Sequence, residues 1–208
     1  MIKCPICDYS AMNFSPFGRI PREDARCPRC GSLERHRLLW LFFQRKTALF
    51  SDQLRVIHFS PMSCFAARLS KKKNLDYNTV DIKEGYDHQF DIQEIPETIG
   101  KFDVILAIHV LEHIDDDILA MREMKRILNP GGWAILQVPI NRKKTKENPT
   151  DVSLRKGQKD HVRGYGPDYL DRLKSAGLDV DVVPFDSFIS DSEATMYNTT
   201  KEDIYLCR

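Results

Sequence analysis

A chain of 208 residues is long enough for one full α/β domain of about 150 residues and a small appendage. Lysine and arginine number 31 against 30 aspartates and glutamates, a formal net charge of +1, and this balance argues against a protein devoted to wrapping nucleic acid or lying on an anionic membrane, while leaving local basic patches open. No apolar run approaches the roughly 18 residues that a membrane-crossing helix needs, and the first residues reach a Cys-Pro-x-Cys turn without a signal-peptide hydrophobic region, so the expected location is the cytoplasm.

The chain begins with two CxxC pairs, Cys4/Cys7 and Cys27/Cys30, with 19 residues between them. That gap falls in the roughly 15–20 residues of a four-cysteine zinc site. Two residues between thiolates let a tight turn aim both sulfurs at one ion, and two such turns complete a closed tetrahedral site with no open position for catalysis. The segment between the pairs, with Pro16, Gly18 and Pro21, is too short and polar to build a core, so the ion would supply its folding energy. A thioredoxin-like redox pair wants a single CxxC at a strand-to-helix junction, and of the six cysteines only Cys64 and Cys207 stand outside the pairs. The expectation is a structural Zn2+ ribbon over residues 1–31.

Ser32 stands where it would cap a helix running to about residue 46, with Glu34 in the first turn and Leu38, Trp40, Leu41, Phe42 and Phe43 following. So much apolar surface must pack on something, and residues 32–52 read as a connecting helix. Arg35, His36 and Arg37 read as a solvated or salt-bridged face ahead of a substrate contact. Residues 55–59, RVIHF, form a strand candidate and residues 64–69 a helix candidate. Residues 76–82 give a second strand ending in Asp81, and residues 88–92 a third ending near Asp91.

Residues 102–110, FDVILAIHV, are an almost unbroken apolar run rich in β-branched side chains, as in strands buried on both faces of a parallel sheet. The period then changes, with Ile114, Ile118, Met121, Met124 and Leu128 on one helical stripe, started by Asp115, Asp116 and Asp117 and stopped by Asn129, Pro130, Gly131 and Gly132. A strand over residues 133–139 completes a βαβ unit whose right-handed crossover puts the turn from His109 to His113 at the carboxyl edge of the sheet, where open α/β sheets bind ligands. Residues 142–163 form a long loop carrying Arg142, Lys143, Lys144, Lys146, Arg155, Lys156, Lys159 and Arg163, and such loops are seldom kept without a use. A helix over residues 167–176 stopped by Gly177, a strand over 179–184 and a last edge strand over 203–207 follow.

This order of elements, with Asp81 after the second strand, Asp91-Ile92 before Ile95-Pro96, the FDVILAIHVLEHI strand and turn, the NPGG stop and the QVP strand, resembles class I S-adenosylmethionine-dependent methyltransferases over residues 53–208. CPRCGSLERHR and DHVRGYG look like the subset of type-11-like methyltransferases that carry an N-terminal zinc ribbon. The resemblance implies a Rossmann-like, seven-stranded, mostly parallel sheet, with S-adenosylmethionine as cofactor and domains at 1–31, 32–52 and 53–208. It implies that Asp81 accepts hydrogen bonds from ribose hydroxyls, in agreement with its place about 20 residues after the first strand, and that Asp91 meets the adenine amino group. Asp91 alone would equally serve as a turn cap. The first loop departs from the superfamily's acid and glycines, reading His58-Phe59-Ser60-Pro61-Met62-Ser63-Cys64, so donors for the cofactor carboxylate would come from the helix start at Ser63. The expected cofactor contacts are His58, Ser60, Ser63, Asp81, Ile82, Asp91, Ile92 and His109.

Methyl transfer to a hydroxyl gains from a positioned base, and the candidates are His109 and His113 around the fourth strand, with Asp160 and His161 in the basic loop. His109 would otherwise be a satisfied core histidine and His113 a capping residue. The acceptor expected is a small molecule or glycan-like compound. Two other readings stay open: an RNA methyltransferase gripping phosphates through the ribbon and basic loop, and a degenerate, non-catalytic scaffold that meets a partner.

Overall fold

The computed structural model describes residues 1–148 and 160–208; Arg155, Lys156 and Lys159 of the basic loop lie outside them. Strands β1 (Ile2–Lys3), β2 (Ser10–Ala11), β3 (Ser15–Phe17) and β4 (Arg22–Arg26) precede helix α1 (Glu34–Lys46). Then come β5 (Leu54–Phe59), α2 (Ser63–Leu69), β6 (Leu75–Asp81), β7 (His88–Gln89) and β8 (Phe102–Ile108). A 3-10 turn (Leu111–His113), α3 (Asp117–Arg126), β9 (Leu128–Gln137), β10 (Lys146–Glu147) and β11 (Arg163–Gly164) follow. The chain ends with α4 (Tyr169–Ser175), β12 (Val180–Val183), α5 (Asp191–Tyr197) and β13 (Ile204–Cys207). It divides into two compact units, Met1–Gln53 with Met62–Asp76 and Val182–Ile204, and Leu54–Pro61 with Tyr77–Asp181 and Tyr205–Arg208. No helix among the described residues is long and apolar enough to cross a membrane.

In the first unit, β1 pairs with β2 and β3 with β4, both antiparallel. Helix α1 buries Leu38, Leu39, Trp40, Leu41, Phe42 and Phe43, and its rings meet Phe65 of α2 and Phe188 at centroid distances of 5.5–5.8 Å. Ser32 is not its cap: the N-cap is Leu33, whose N–H donates to His36 Nδ1 at 3.2 Å. Nor do residues 35–37 form a solvated face, because His36 is buried and Arg37 is 0% exposed. Carbonyl acceptors at the Arg37 guanidinium replace the water it gives up.

Most residues of the seven-stranded sheet, in the order β12-β13-β9-β8-β5-β6-β7, belong to the second unit. β5, β8 and β9 are parallel neighbours, as are β6 and β7, while β13 runs antiparallel to β9. The apolar run of β8 lies at the centre, with Val104, Ile105, Leu106 and Ala107 fully buried. Three expectations change. The NPGG stop lies inside β9 rather than ending α3: the helix closes at Arg126, Leu128 pairs with Phe102, and Gly131 at φ +80° carries the strand through the irregularity. The third strand is two residues long, with Asp91 in the following turn. The last strand is interior, flanked by β9 and β12, so β12 is the edge.

Candidate functional site

Strands β5, β6 and β8 bring their carboxyl ends to one edge of the sheet, and a cavity of about 540 Å³ opens there, within the size range of small-ligand pockets. Phe59 and Ser60 after β5, Val80, Asp81, Ile82 and Lys83 at the end of β6, and Phe90, Asp91, Ile92 and Gln93 after β7 form one side. His109, Val110, His113, Ile114 and Asp115 after β8 form the other.

Two backbone turns shape the walls. Ser60 takes φ +45° and donates its N–H to the Val80 carbonyl at 2.8 Å. His109 takes φ +57° and donates to the Gln137 carbonyl at 2.8 Å. Asp81 accepts from the Lys83 N–H at 3.1 Å. The Asp91 carboxylate accepts from the Gln93 N–H at 2.8 Å and from the Gln93 side-chain amide, so it caps its own turn while lining the cavity. Gln93 Oε1 in turn accepts from the Asp116 N–H at 2.9 Å, tying that wall to the start of α3. Phe59 and Phe90 meet edge to face, and Ile82 is 64% exposed, an apolar side chain that a bound ligand would cover.

The turn after β8 is held from the far end of the basic loop. Arg163 Nη1 donates to the Leu111 and Ile114 carbonyls at 3.3 and 2.5 Å and Nη2 to the Asp115 carbonyl at 2.6 Å. The Tyr165 hydroxyl donates to Asp117 Oδ2 at 2.8 Å, and burial pushes its pKa above the usual tyrosine value. Arg172 completes the Asp117 pair. Within this frame His109 Nδ1 stands 3.0 Å from Glu112 Oε1, and His113 Nδ1 lies 3.1 Å from the Asp160 carbonyl. The His113 and His161 rings meet edge to face, centroids 4.7 Å apart, and burial lowers the His161 pKa.

Of the residues expected to touch cofactor, Ser60, Asp81, Ile82, Asp91, Ile92 and His109 line the cavity. His58 is fully buried in β5, its Nδ1 2.7 Å from the Tyr77 hydroxyl, and burial pushes its pKa down to about 3. Ser63 opens α2 in the first unit. Asp160 and His161 gather at His113. Sequence reasoning missed Lys83, Phe90 and Gln93; the adjacency of Phe90 and Gln93 to Asp91-Ile92 was the available signal.

In the first unit the sulfur atoms of Cys4, Cys7, Cys27 and Cys30 all lie within 4.8 Å of one another, with Cys4–Cys30 and Cys7–Cys27 at 3.6 Å. A tetrahedral ion about 2.3 Å from each sulfur holds its ligands about 3.8 Å apart, so the set fits zinc. Each CxxC turn closes on a left-handed residue, Asp8 at φ +57° and Gly31 at φ +73°, whose N–H groups donate to the Cys4 and Cys27 carbonyls. The Ser32 hydroxyl stands 3.3 Å from the Cys4 sulfur and 3.2 Å from that of Cys30, where it would donate to a thiolate. Burial pushes the Cys7 thiol up to about 11, whereas a hydrogen bond from the Cys4 thiol brings Cys30 down to about 4; a bound cation would favour the thiolate form throughout the set.

The sequence profile of the methyltransferase-domain family matches residues 56–182. That is more than half of the chain, and the chain belongs to this family: it is an enzyme of the S-adenosylmethionine-dependent methyltransferase class. Among curated proteins none matches the chain. Solved structures share the fold at low identity. The [4+2]-cyclase SpnF superposes with a TM-score of 0.61 at 15% identity, covering 94% of this chain and 86% of its own. An S-adenosylmethionine-dependent methyltransferase from Mesorhizobium loti gives 0.56 at 16% identity, covering 82% of this chain and 98% of its own. Coclaurine N-methyltransferase bound to N-methylheliamine and SAH gives 0.55 at 15%, covering 69% of this chain and 48% of its own.

Proposed function

We propose that the cavity at the carboxyl edge binds S-adenosylmethionine and that the enzyme methylates a small-molecule or glycan-like acceptor. The observation that carries this reading is the convergence of Asp81, Asp91 and His109 on one cavity inside the family-matched residues. Asp81 accepts from the ribose hydroxyls. Asp91 reaches the adenine amino group with the carboxylate that also caps its turn, and Ile82, Phe90 and Ile92 cover the base. Ser60 borders the methionine end.

Methyl transfer from a sulfonium is an in-line displacement, so holding donor and acceptor in line supplies up to about 7–11 kcal/mol. A base adds on the order of 10²–10⁴-fold when the acceptor is a hydroxyl. His109 fits that role because it lines the cavity and has Glu112 beside its Nδ1 to stabilise the imidazolium once the ring has taken a proton. Asp160 and His161, grouped at His113, stand as the second acid–base pair. In the first unit the four cysteines bind a structural zinc ion.

Calorimetric titration with S-adenosylmethionine and S-adenosylhomocysteine tests the reading. Micromolar binding is expected in folded wild type, and Asp81→Ala removes hydrogen bonds to a charged acceptor, each worth about 1.5–3 kcal/mol, so affinity falls at least about tenfold. Absence of heat from folded, zinc-replete wild type would sink the proposal.

A further inference from the structure

Glu112, placed beside His109, still has more acceptor capacity than its surroundings satisfy. It is 1% exposed, and among the described residues no hydrogen-bond donor reaches either of its oxygens. His109 Nδ1 approaches Oε1 at 3.0 Å, an ion-pair contact that lacks hydrogen-bond alignment and touches one oxygen of the two. Buried carboxylates are ordinarily paired and hydrogen-bonded, or they ligate metal.

Two imidazoles stand next to it. Glu112, His113 and His161 offer a carboxylate oxygen and two ring nitrogens that all lie within 4.8 Å of one another. The fold holds these donors in place. Glu112 and His113 are neighbours on the 3-10 turn, and the segment entering β11 is tied to that turn by the Val162 N–H, which donates to the Glu112 carbonyl at 2.8 Å, and by the Arg163 guanidinium. His113 also has the partner that metal-bound histidines usually have: with its Nδ1–H donated to the Asp160 carbonyl at 3.1 Å, Nε2 carries the lone pair.

We propose that Glu112, His113 and His161 bind a divalent first-row transition ion, Mn2+, Fe2+, Co2+ or Zn2+, at a metal site separate from the four cysteines. Two imidazoles with one carboxylate suit these ions, and three protein ligands leave coordination positions open. An ion about 2.0–2.2 Å from each donor draws the three donors together by about an ångström, a movement within reach of side-chain rotation. His113 also lines the cavity, so the open positions are available to an acceptor that ligates through oxygen. That last step rests on the methyl-transfer reading, whereas ion binding itself does not; with an ion bound, His161 is its ligand instead of an acid–base group, and Glu112 keeps one oxygen for His109.

The test titrates the zinc-replete full chain with Mn2+ while following the paramagnetic resonance signal of free Mn2+, an ion that prefers oxygen and nitrogen and leaves thiolate-bound zinc in place. One Mn2+ per chain is expected, with binding weakened at least tenfold by His161→Ala and by the isosteric Glu112→Gln. Co2+ titration, read by visible absorption that separates thiolate from imidazole coordination, should give the same stoichiometry. The site is overturned if folded wild type binds neither ion outside the cysteines, leaving Glu112 as the ion-pair partner of His109, or if both variants bind like wild type. Should one variant fail to fold, the other carries the comparison. Calorimetry with S-adenosylhomocysteine on the same samples separates the two readings. Nucleoside binding without ion binding overturns the metal site alone, and ion binding without nucleoside binding overturns the cofactor reading alone.

Discussion

Ser60 and His109, at φ +45° and +57°, place two side chains in a region that costs a non-glycine residue about 1–2 kcal/mol. Ser60 shows how the glycine-free loop after β5 turns: the serine itself takes the left-handed conformation, fixed by its hydrogen bond to Val80. His109 takes the same strain at the cavity wall, where the proposed mechanism needs an imidazole that glycine lacks. His58, one strand residue from the cavity lining, has a different consequence. Burial lowers its pKa from 6.5 to about 3, so between those values the unfolded chain binds a proton that the native chain refuses. Stability is therefore full above the unfolded value and declines as pH falls through it, by at most about 1.4 kcal/mol per pH unit. Urea midpoints of zinc-saturated protein taken from about pH 7 to pH 5 should fall in wild type. His58→Asn should start lower, having lost packing, and decline less steeply. Parallel profiles for the two proteins would show that His58 does not titrate in this way.

At the level of elements, the turn between β8 and α3 is fixed by β11. Arg163 donates to three carbonyls of that turn and pairs with Glu147 at 3.0 Å, with its side chain only 4% exposed. Arg163→Lys keeps a charge but cannot span three acceptors, and leaving buried carbonyls unpaired costs about 1–3 kcal/mol each. A loss of about 2–4 kcal/mol is expected from denaturant unfolding, with faster amide exchange across residues 109–117; a loss below about 0.5 kcal/mol, the usual size of a surface substitution, would refute the clamp. Arg163 also marks where sequence reading stops. It counts there as one more cation of a basic loop, because the carbonyls it serves lie 48 to 52 residues away and backbone acceptors carry no residue-type signal. Strands β5, β6 and β8 and helix α3 were legible because each runs six residues or more, long enough for an apolar, β-branched run or a helical stripe to show. The two-residue β7 and the short α5 are too brief to show a period. NPGG misled because its glycines and proline signal a helix stop and a strand irregularity equally well. That the four cysteines would gather and that Asp81 would end at the cavity was readable from residue type and spacing, whereas the nearness of Glu112 to His161 needed the fold.

On the scale of the molecule, the proposed zinc ion would hold the N-terminal segment of the first unit. Outside its cysteines, residues 1–31 bury only Ile6, Phe14 and Ala25, a core so small that in the zinc reading the ion supplies the folding energy. The ribbon's carbonyls are in turn the acceptors of helix side chains: Arg37 donates to Ala25 and Ser32 at 3.1 and 3.0 Å as well as to Tyr197 and Asn198, and Arg68 donates to Ile6. When the ribbon opens, Arg37 loses two acceptors while it is still buried. Removing zinc should therefore strip amide protection from residues 1–33 and also from the start of α1 and the residues after α5 that share Arg37. The second unit has its own core, including Ile57, Ile105, Met121 and Leu136, and its strand hydrogen bonds link β5, β8 and β9 directly. Hydrogen exchange read by mass spectrometry, on zinc-replete and chelator-treated protein, should show the loss in those first-unit segments with β5, β8 and β9 still protected. Unchanged protection over residues 1–33 in protein shown by elemental analysis to be metal-free would mean that the cysteines hold no structural ion.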